Sequence, residues 1–331
     1  MPLIGSLTSG VSALNAFSKG MEVIGDNISN VNTTGFKGAR VDYADNFGDV
    51  LQNAASSPKS GDGSDTTNMQ VGQGVHVQDI QTNFTQASLT TTGQATDVGI
   101  SGNGFFRVQD PQSGNDYVTR AGNFRIDDQG YLVTQEGYRV QGLDDGIGQM
   151  SATVVNGQLT YTMGTTTPPS TVGDMKVDTG LSTTSGTLTN DTGGAYTDAE
   201  VDANAPKITG FSIDGSGALT LQLSNGDTLN RGQLLVQNFQ DPNALTRVSG
   251  NLFSGLQTAN PIGGLALSAT NNTPGAGGNG QLEQGHLEIS NVDLTAEFSN
   301  LINTQRSFQA GSRVITTADS ILEEIVNLKR S

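Results

Sequence analysis

Residues Ser290 to Arg330 read SNVDLTAEFSNLINTQRSFQAGSRVITTADSILEEIVNLKR, and their apolar spacing decides how the rest of the chain is organised. Leu294, Leu301, Phe308, Ile315 and Leu322 recur at heptad spacing, the step that keeps one seam of a helix turned towards a partner helix. Phe298, Ile302, Ile325 and Val326 widen the stripe. Ser290 or Asn291 ahead of the run and Asp293 in its first turn supply capping chemistry, and Lys329 and Arg330 suit the negative end of the helix dipole. A long amphipathic helix is predicted.

The other terminus behaves in the same way. From Leu7, apolar residues return at Val11, Leu14, Phe17, Met21, Ile24, Ile28 and Val31 in steps of three and four, an average of about 3.5 that fits a left-handed supercoil. The run Asn30 to Gly35 ends it.

Between the two helices the period falls to two, the mark of half-buried strands. Val75, Val77, Phe84, Phe105-Phe106-Arg107-Val108, Tyr117-Val118, Phe124, Ile126 and Tyr131-Leu132-Val133 carry it, and Phe211 to Ile213 and Leu219 to Leu223 repeat it later. Asp127-Asp128-Gln129-Gly130, Asp214-Gly215-Ser216-Gly217 and Asn225-Gly226 have the residues that tight turns need. The predicted fold is α+β and mainly β: a discontinuous β-rich centre flanked by terminal amphipathic helices that pair into a coiled-coil-like core. The expected division is a helical core of residues 1–35 with 290–331, an extended connector over 36–71, a β domain of 72–144 with 206–289, and an inserted surface subdomain or loop over 145–205. That last stretch is rich in Thr, Gly and Ser. Residues Asn271 to Gly280 read as a linker.

Composition narrows the function. Of 331 residues only 34% are hydrophobic and 44 are Gly, which argues against one large core. The formal charge of -16 disfavours nucleic acid and anionic lipid. The absence of Cys removes disulfides, thiolate metal sites and thiol catalysis. Met1 to Gly20 lacks a basic n-region, and no apolar run approaches a membrane span, so neither a cleaved secretion signal nor direct membrane insertion is expected.

Candidate chemistry is sparse. His76 and His286 stand apart from any spaced set of carboxylates, so a metal or triad role has no support. The loops at Asp127 and Asp214 lack the alternating ligands and closing Glu of a calcium loop and read as turns. Gly72-Gln73-Gly74 and Gly102-Asn103-Gly104 lack the Lys and the helix of a phosphate loop. No cofactor, metal or catalytic residue is expected. Two readings of the helices remain open: each docks on its own β domain, or their leftover apolar surface packs against other copies and, repeated head to tail without closure, builds a helical tube.

A resemblance bears on that choice. Gly25-Asp26-Asn27-Ile28-Ser29-Asn30-Val31-Asn32-Thr33-Thr34-Gly35-Phe36-Lys37 resembles the N-terminal signature of bacterial flagellar rod and hook proteins. Asn83 to Thr90, Ser101 to Phe106 and Thr119 to Phe124 are similar to the start of that family's β domain. Gly285 to Leu294, Gln305-Arg306-Ser307-Phe308-Gln309-Ala310 and Thr317-Ala318-Asp319 resemble its C-terminal helix. The motif positions carried over are Asn27, Asn30, Asn32, Gly35, Phe36, Asn291, Asp293, Gln305 and Arg306. Tyr43-Ala44-Asp45-Asn46-Phe47 and the stretches Gly232 to Phe239 and Gly250 to Phe253 resemble hook members in particular, with the distal rod as the alternative. An extracellular β-rich binding or adhesion protein is the rival from another class.

The resemblance implies a structural subunit that polymerises with itself around an export channel. Its implied partners are the distal rod protein, hook-filament junction proteins, a hook cap and the flagellar type III export apparatus, and it would lie in the hook or basal body, outside the cell after export. Leu14, Met21, Ile24, Ile28, Leu301, Phe308, Ile315 and Leu322 are the residues expected to pack between subunits, and the Asn-rich run Asn27 to Asn32 is expected to add polar subunit contacts.

Overall fold

The computed structural model describes residues 2–52, 69–144, 150–155, 158–163, 172–177, 183–184 and 207–328. The chain divides into two units: one of residues 1–31, 37–84 and 292–331, the other of 32–36 and 85–291.

The first unit is built on two helices, α1 (Pro2–Ser29) and, at the far end of the chain, a helix of 35 residues spanning Leu294–Leu328. They pack against each other and run antiparallel, because Gly10 lies beside Ile315, Leu14 beside Gly311, and Gly20 beside Thr304. A Cβ at Gly10 would stand 2.8 Å from Cγ1 of Ile315, so small residues set the approach of the two backbones. Against α1 lie β1 (Ala39–Asp45) and β4 (Val75–Thr82), antiparallel with Val41 opposite Ile80; β2 (Asp49–Gln52) pairs with β3 (Met69–Val71).

Here the observed boundaries differ from the expected ones. Residues 39–45 form a strand rather than an extended connector, and residues 75–82 join the helices rather than the β domain. The reason is Asn27. Its amide donates to the Ala39 carbonyl at 2.7 Å and its oxygen accepts from the Ala39 N–H at 2.9 Å, which docks the start of β1 on α1. The cap of the long helix is Asp293, whose carboxylate accepts from the N–H groups of Thr295 and Ala296, rather than Ser290 or Asn291. Residues 53–68 of the connector expected over 36–71, and Lys329 and Arg330, lie outside the described residues.

The second unit holds the sheets. In chain order its strands are β5 (Leu89–Thr91), β6 (Val98–Ser101), β7 (Phe105–Gln109), β8 (Asp116–Thr119), β9 (Arg125–Ile126), β10 (Leu132–Val133), β11 (Arg139–Asp144), β12 (Met150–Val155), β13 (Gln158–Met163), β14 (Val172–Asp174) and β15 (Thr183–Thr184). There follow β16 (Ile208–Ile213), β17 (Ala218–Leu223), β18 (Thr228–Leu234), β19 (Val236–Gln237), β20 (Thr246–Arg247), β21 (Leu252–Ser254), β22 (Gln281–Gln284) and β23 (His286–Glu288). The main sheet runs β16-β17-β18-β11-β7-β8-β21-β20. Strands distant in sequence close the unit, β22 on β6 and β23 on β5, both antiparallel. The alternating apolar residues deliver its core: Phe106, Val108, Leu132, Val140, Leu219, Leu221, Leu234 and Val236 are fully buried.

Two expectations are corrected here. The stretch 145–205 is only partly an insertion. Strands β12, β13 and β15 form a small separate sheet, but β14 pairs with β11, and Met175 and Val177 are buried in the main core. Its Thr-rich composition hides those two apolar residues. Residues 271–280 are not a loose linker either. The helical turn α2 (Ala269–Asn272) ends on the buried Asn272, which donates to the Val236 carbonyl, and Asn279 donates back to the Asn271 carbonyl at 2.8 Å. The C-terminal helix is α3 hereafter.

Candidate assembly surface

The residues predicted to pack between subunits all lie on α1 and α3 and all are half-buried in the single chain: Leu14, Met21, Ile24, Ile28, Leu301, Phe308, Ile315 and Leu322. Leu14 and Ile315 fill the seam between the two helices of one molecule, against Gly311 and Gly10. Among the described residues the large apolar side chains left open are Leu294, at the start of the heptad row, and its neighbours Phe298, Ile302, Val314, Ile321, Ile325, Val326 and Leu328 on α3, and Val11 on α1. At about 100° per residue, Phe298 and Ile302 lie on one flank of the heptad row, and Val314, Ile321, Ile325 and Leu328 lie on the other. One molecule of this shape therefore offers two different apolar strips. The heptad row was visible in the sequence; which of its flanks α1 leaves uncovered was not.

The motif residues fall into two groups. In the helical unit, Asn27 is 2% exposed and binds the Ala39 backbone and, at 3.2 Å, the Glu297 carboxylate. Its hydrogen bonds are made inside the chain, so the polar subunit contact expected of the Asn-rich run does not apply to Asn27. Asn30 reaches back to Asp26 at 2.9 Å and ties off the end of α1. Asp293 caps α3, while Asn32, Gln305 and Arg306 are exposed.

In the β unit, Gly35, Phe36 and Asn291 come together. The Gly35 N–H donates to the Glu288 carbonyl at 2.8 Å, the Asn291 N–H donates to the Phe36 carbonyl, and the buried Phe36 ring lies under the Arg247 guanidinium at 4.3 Å. Gly35 has φ of +67°, and a Cβ there would stand 2.6 Å from the Ala121 nitrogen, so only glycine fits. Asn251 donates to the Thr34 carbonyl at 2.8 Å. The segment that follows α1 is thereby locked to the strands.

An ion pair lies at the centre of this lock. Arg120 and Glu288 meet at 3.2 Å with side chains 3% and 0% exposed. Arg120 also donates to the Gly102 and Ile100 carbonyls, and Glu288 accepts from the Ala87 N–H at 2.8 Å. Burial pulls the Arg120 guanidinium below its usual range, and the Glu288 charge opposes that shift.

His286 bonds to Thr91 and to the Gln284 carbonyl, and His76 is exposed. The Asp127 and Asp214 carboxylates accept backbone N–H groups of their own turns. Among the described residues no cluster of His, Cys, Asp and Glu is arranged to hold a metal, and no helix is long and apolar enough to cross a membrane.

Three family patterns match the chain in order. Residues 7–37 match one described as flagella basal body rod protein, residues 99–221 one described as flagellar hook protein FlgE/F/G D1 domain, and residues 283–328 one described as flagellar basal body rod FlgEFG protein C-terminal. The chain is 34% identical over 328 residues to the flagellar basal-body rod protein FlgG of Bacillus subtilis, covering 99% of this chain and 100% of that protein. The chain belongs to the flagellar rod and hook protein family. It is also 27% identical over 435 residues to the flagellar hook protein FlgE of Rhizobium meliloti, covering 100% of each. A solved flagellar hook protein, FlgE2 of Helicobacter pylori, overlaps 60% of this chain and 100% of its own at 10% identity and a TM-score of 0.35, too slight a likeness to carry an argument.

Membership of this family makes the chain a structural component of the bacterial flagellum and not an enzyme. The C-terminal pattern covers β23 and all of α3, and the N-terminal one covers most of α1 with Gly35 and Phe36. Both therefore coincide with the helix pair and the lock just described.

One titratable group in the helical unit has a defined pH effect. Burial raises the Glu297 carboxyl above its ordinary value, the Asn27 hydrogen bond lowers it, and Asp293 raises it again. The folded chain then holds this proton more tightly than the unfolded chain. Its contribution to stability is fully present below the ordinary Glu range, about 4.3, and is lost as pH rises through the higher folded value. The helical unit of Glu297→Gln is expected to lose less stability than the parent between mildly acidic and neutral pH. Thermal melts followed by helical circular dichroism check this, and equal losses in both would contradict it.

Proposed function

We propose that this chain is a hook subunit, polymerising with copies of itself into a helical tube that passes torque from the rod to the filament. The observation that carries polymerisation is the pair of different apolar strips on α3, open in the single chain. Two unlike strips favour head-to-tail contacts over a two-fold dimer, and these repeat as an open helix wherever the rotation between copies does not close a ring. The hook assignment rests on Tyr43-Ala44-Asp45-Asn46-Phe47, the hook-like segment, which forms the end of β1 and the exposed loop after it. In this reading the partners are neighbouring copies, the distal rod, the hook-filament junction proteins and a cap, and the chain leaves the cell through the flagellar type III apparatus without loss of its N-terminus.

One observation favours the distal rod instead. The match to the rod protein of Bacillus subtilis spans 328 residues, close to this chain's own length, whereas matches to hook proteins stretch to 435 and 474. Immunogold labelling of isolated hook-basal bodies separates the two. Label along the curved hook is the expected result, and label confined to the straight rod would transfer the chain to the alternative.

A further inference from the structure

A cleft of about 250 Å³ opens among α1, β1 and α3, within the helical unit. Val23, Ile24 and Val41 give it apolar walls, and Asn300, Asn303 and Thr304 stand along its α3 side. Tyr43 also lines it, its ring held edge-on to Phe17 at a centroid distance of 5.8 Å. The position of Tyr43 depends on Gly20, where a Cβ would stand 2.0 Å from the Tyr43 hydroxyl oxygen. Gly20 therefore makes room on α1 for the Tyr43 hydroxyl beside this cleft.

The same unit carries a side chain with no such shelter. Phe47 is 87% exposed, more than any other large apolar side chain among the described residues. It lies four positions beyond Tyr43, about 13 Å along an extended chain, and its ring stands in solvent rather than folding back into its own cleft. A benzene ring fits in about 150 Å³, so the cleft, which Arg40 and Glu297 also line, has room for a phenylalanine against its Val23, Ile24 and Val41 side. The Tyr43 ring in its lining offers the edge-to-face contact that such rings prefer.

From this geometry we infer that Phe47 of one molecule inserts into the α1/β1/α3 cleft of the next. Knob and socket occupy different places on one chain, so the contact is heterologous and each molecule both gives and receives it. Such a contact propagates along a polymer wherever the rotation between copies does not close a ring. The inference rests on the proposal that the chain polymerises, and it names one of the contacts. The polar residues on the α3 side fix the orientation of the loop, and the ring supplies the burial.

The chain has no cysteine, which makes the test direct. Phe47→Cys and Asn303→Cys, purified separately, are mixed, assembled and oxidised. Covalent heterodimers are expected in the mixture, well above those in either variant alone and above those of a control pairing Phe47→Cys with Ser216→Cys on the β unit. Polymer that forms without this preferential cross-link overturns the contact alone; failure of the unmodified chain to polymerise overturns both the contact and the proposed function. Phe47→Ser supplies an independent measure, because loss of one buried aromatic ring raises the critical concentration about tenfold or more. A monomer with unchanged circular dichroism and unchanged critical concentration would reject the knob.

Discussion

Changing Glu288 to Ala is expected to destabilise the β unit by about 3–5 kcal/mol, the usual cost of leaving one member of a buried ion pair without its partner. The Arg120 guanidinium would remain 3% exposed beside an empty space, and the Ala87 N–H would lose its acceptor. For a unit of this size, 1 kcal/mol moves the melting temperature by about 2–4 °C, so a fall of roughly 6–20 °C should be seen by calorimetry. Replacing both members with Met recovers only part of the loss. The Ile100 and Gly102 carbonyls, which now accept from Arg120, would still be left without that donor. A drop below 1 kcal/mol for Glu288→Ala would show that the pair does not hold the strands as described.

The second large effect concerns assembly rather than folding. Ile302→Asp and Ile321→Asp place a charge on opposite flanks of α3 at positions 51% and 47% exposed in the single chain. Neither should alter the melting curve of the monomer beyond about 0.5 kcal/mol. Both should abolish polymerisation, because each would bury an unpaired carboxylate at a subunit contact. Phe308→Asp and Ile28→Asp are also expected to block assembly with the β unit still folded, but their half-buried positions on the paired helices make them disturb that pair as well. Sedimentation of concentrated protein reads the difference. Normal sedimenting polymer from both exposed-flank variants would remove α3 from the assembly surface.

The helices were legible in the sequence because a seven-residue period over Leu294 to Leu322 needs no tertiary information. The strands were legible wherever apolar alternation met an Asp-Gly or Asn-Gly turn, as at Phe211 to Asn225. What escaped was set by long-range contact. Nothing local announces that Asn27 will hold the backbone of Ala39, so a strand read as a connector. The Arg120 and Glu288 side chains are 168 positions apart and pair only because β23 returns to the strands near Arg120. Met175 and Val177 enter the core from a stretch whose average composition is that of a surface loop. Side chains that face solvent and those that face α1 share one apolar stripe in sequence, and only packing separates Ile302 from Leu301. The family motifs were easier to see than their physical reasons. Gly35 is kept by a left-handed backbone under Ala121, and Asp293 by the first turn of α3.

Electron microscopy of the purified protein at increasing concentration tests the central claim most directly. Above a critical concentration the chain should form tubes of uniform diameter, each with a central channel and a helical surface lattice. Discrete particles of fixed size at every concentration, with α1 and α3 folded, would contradict it.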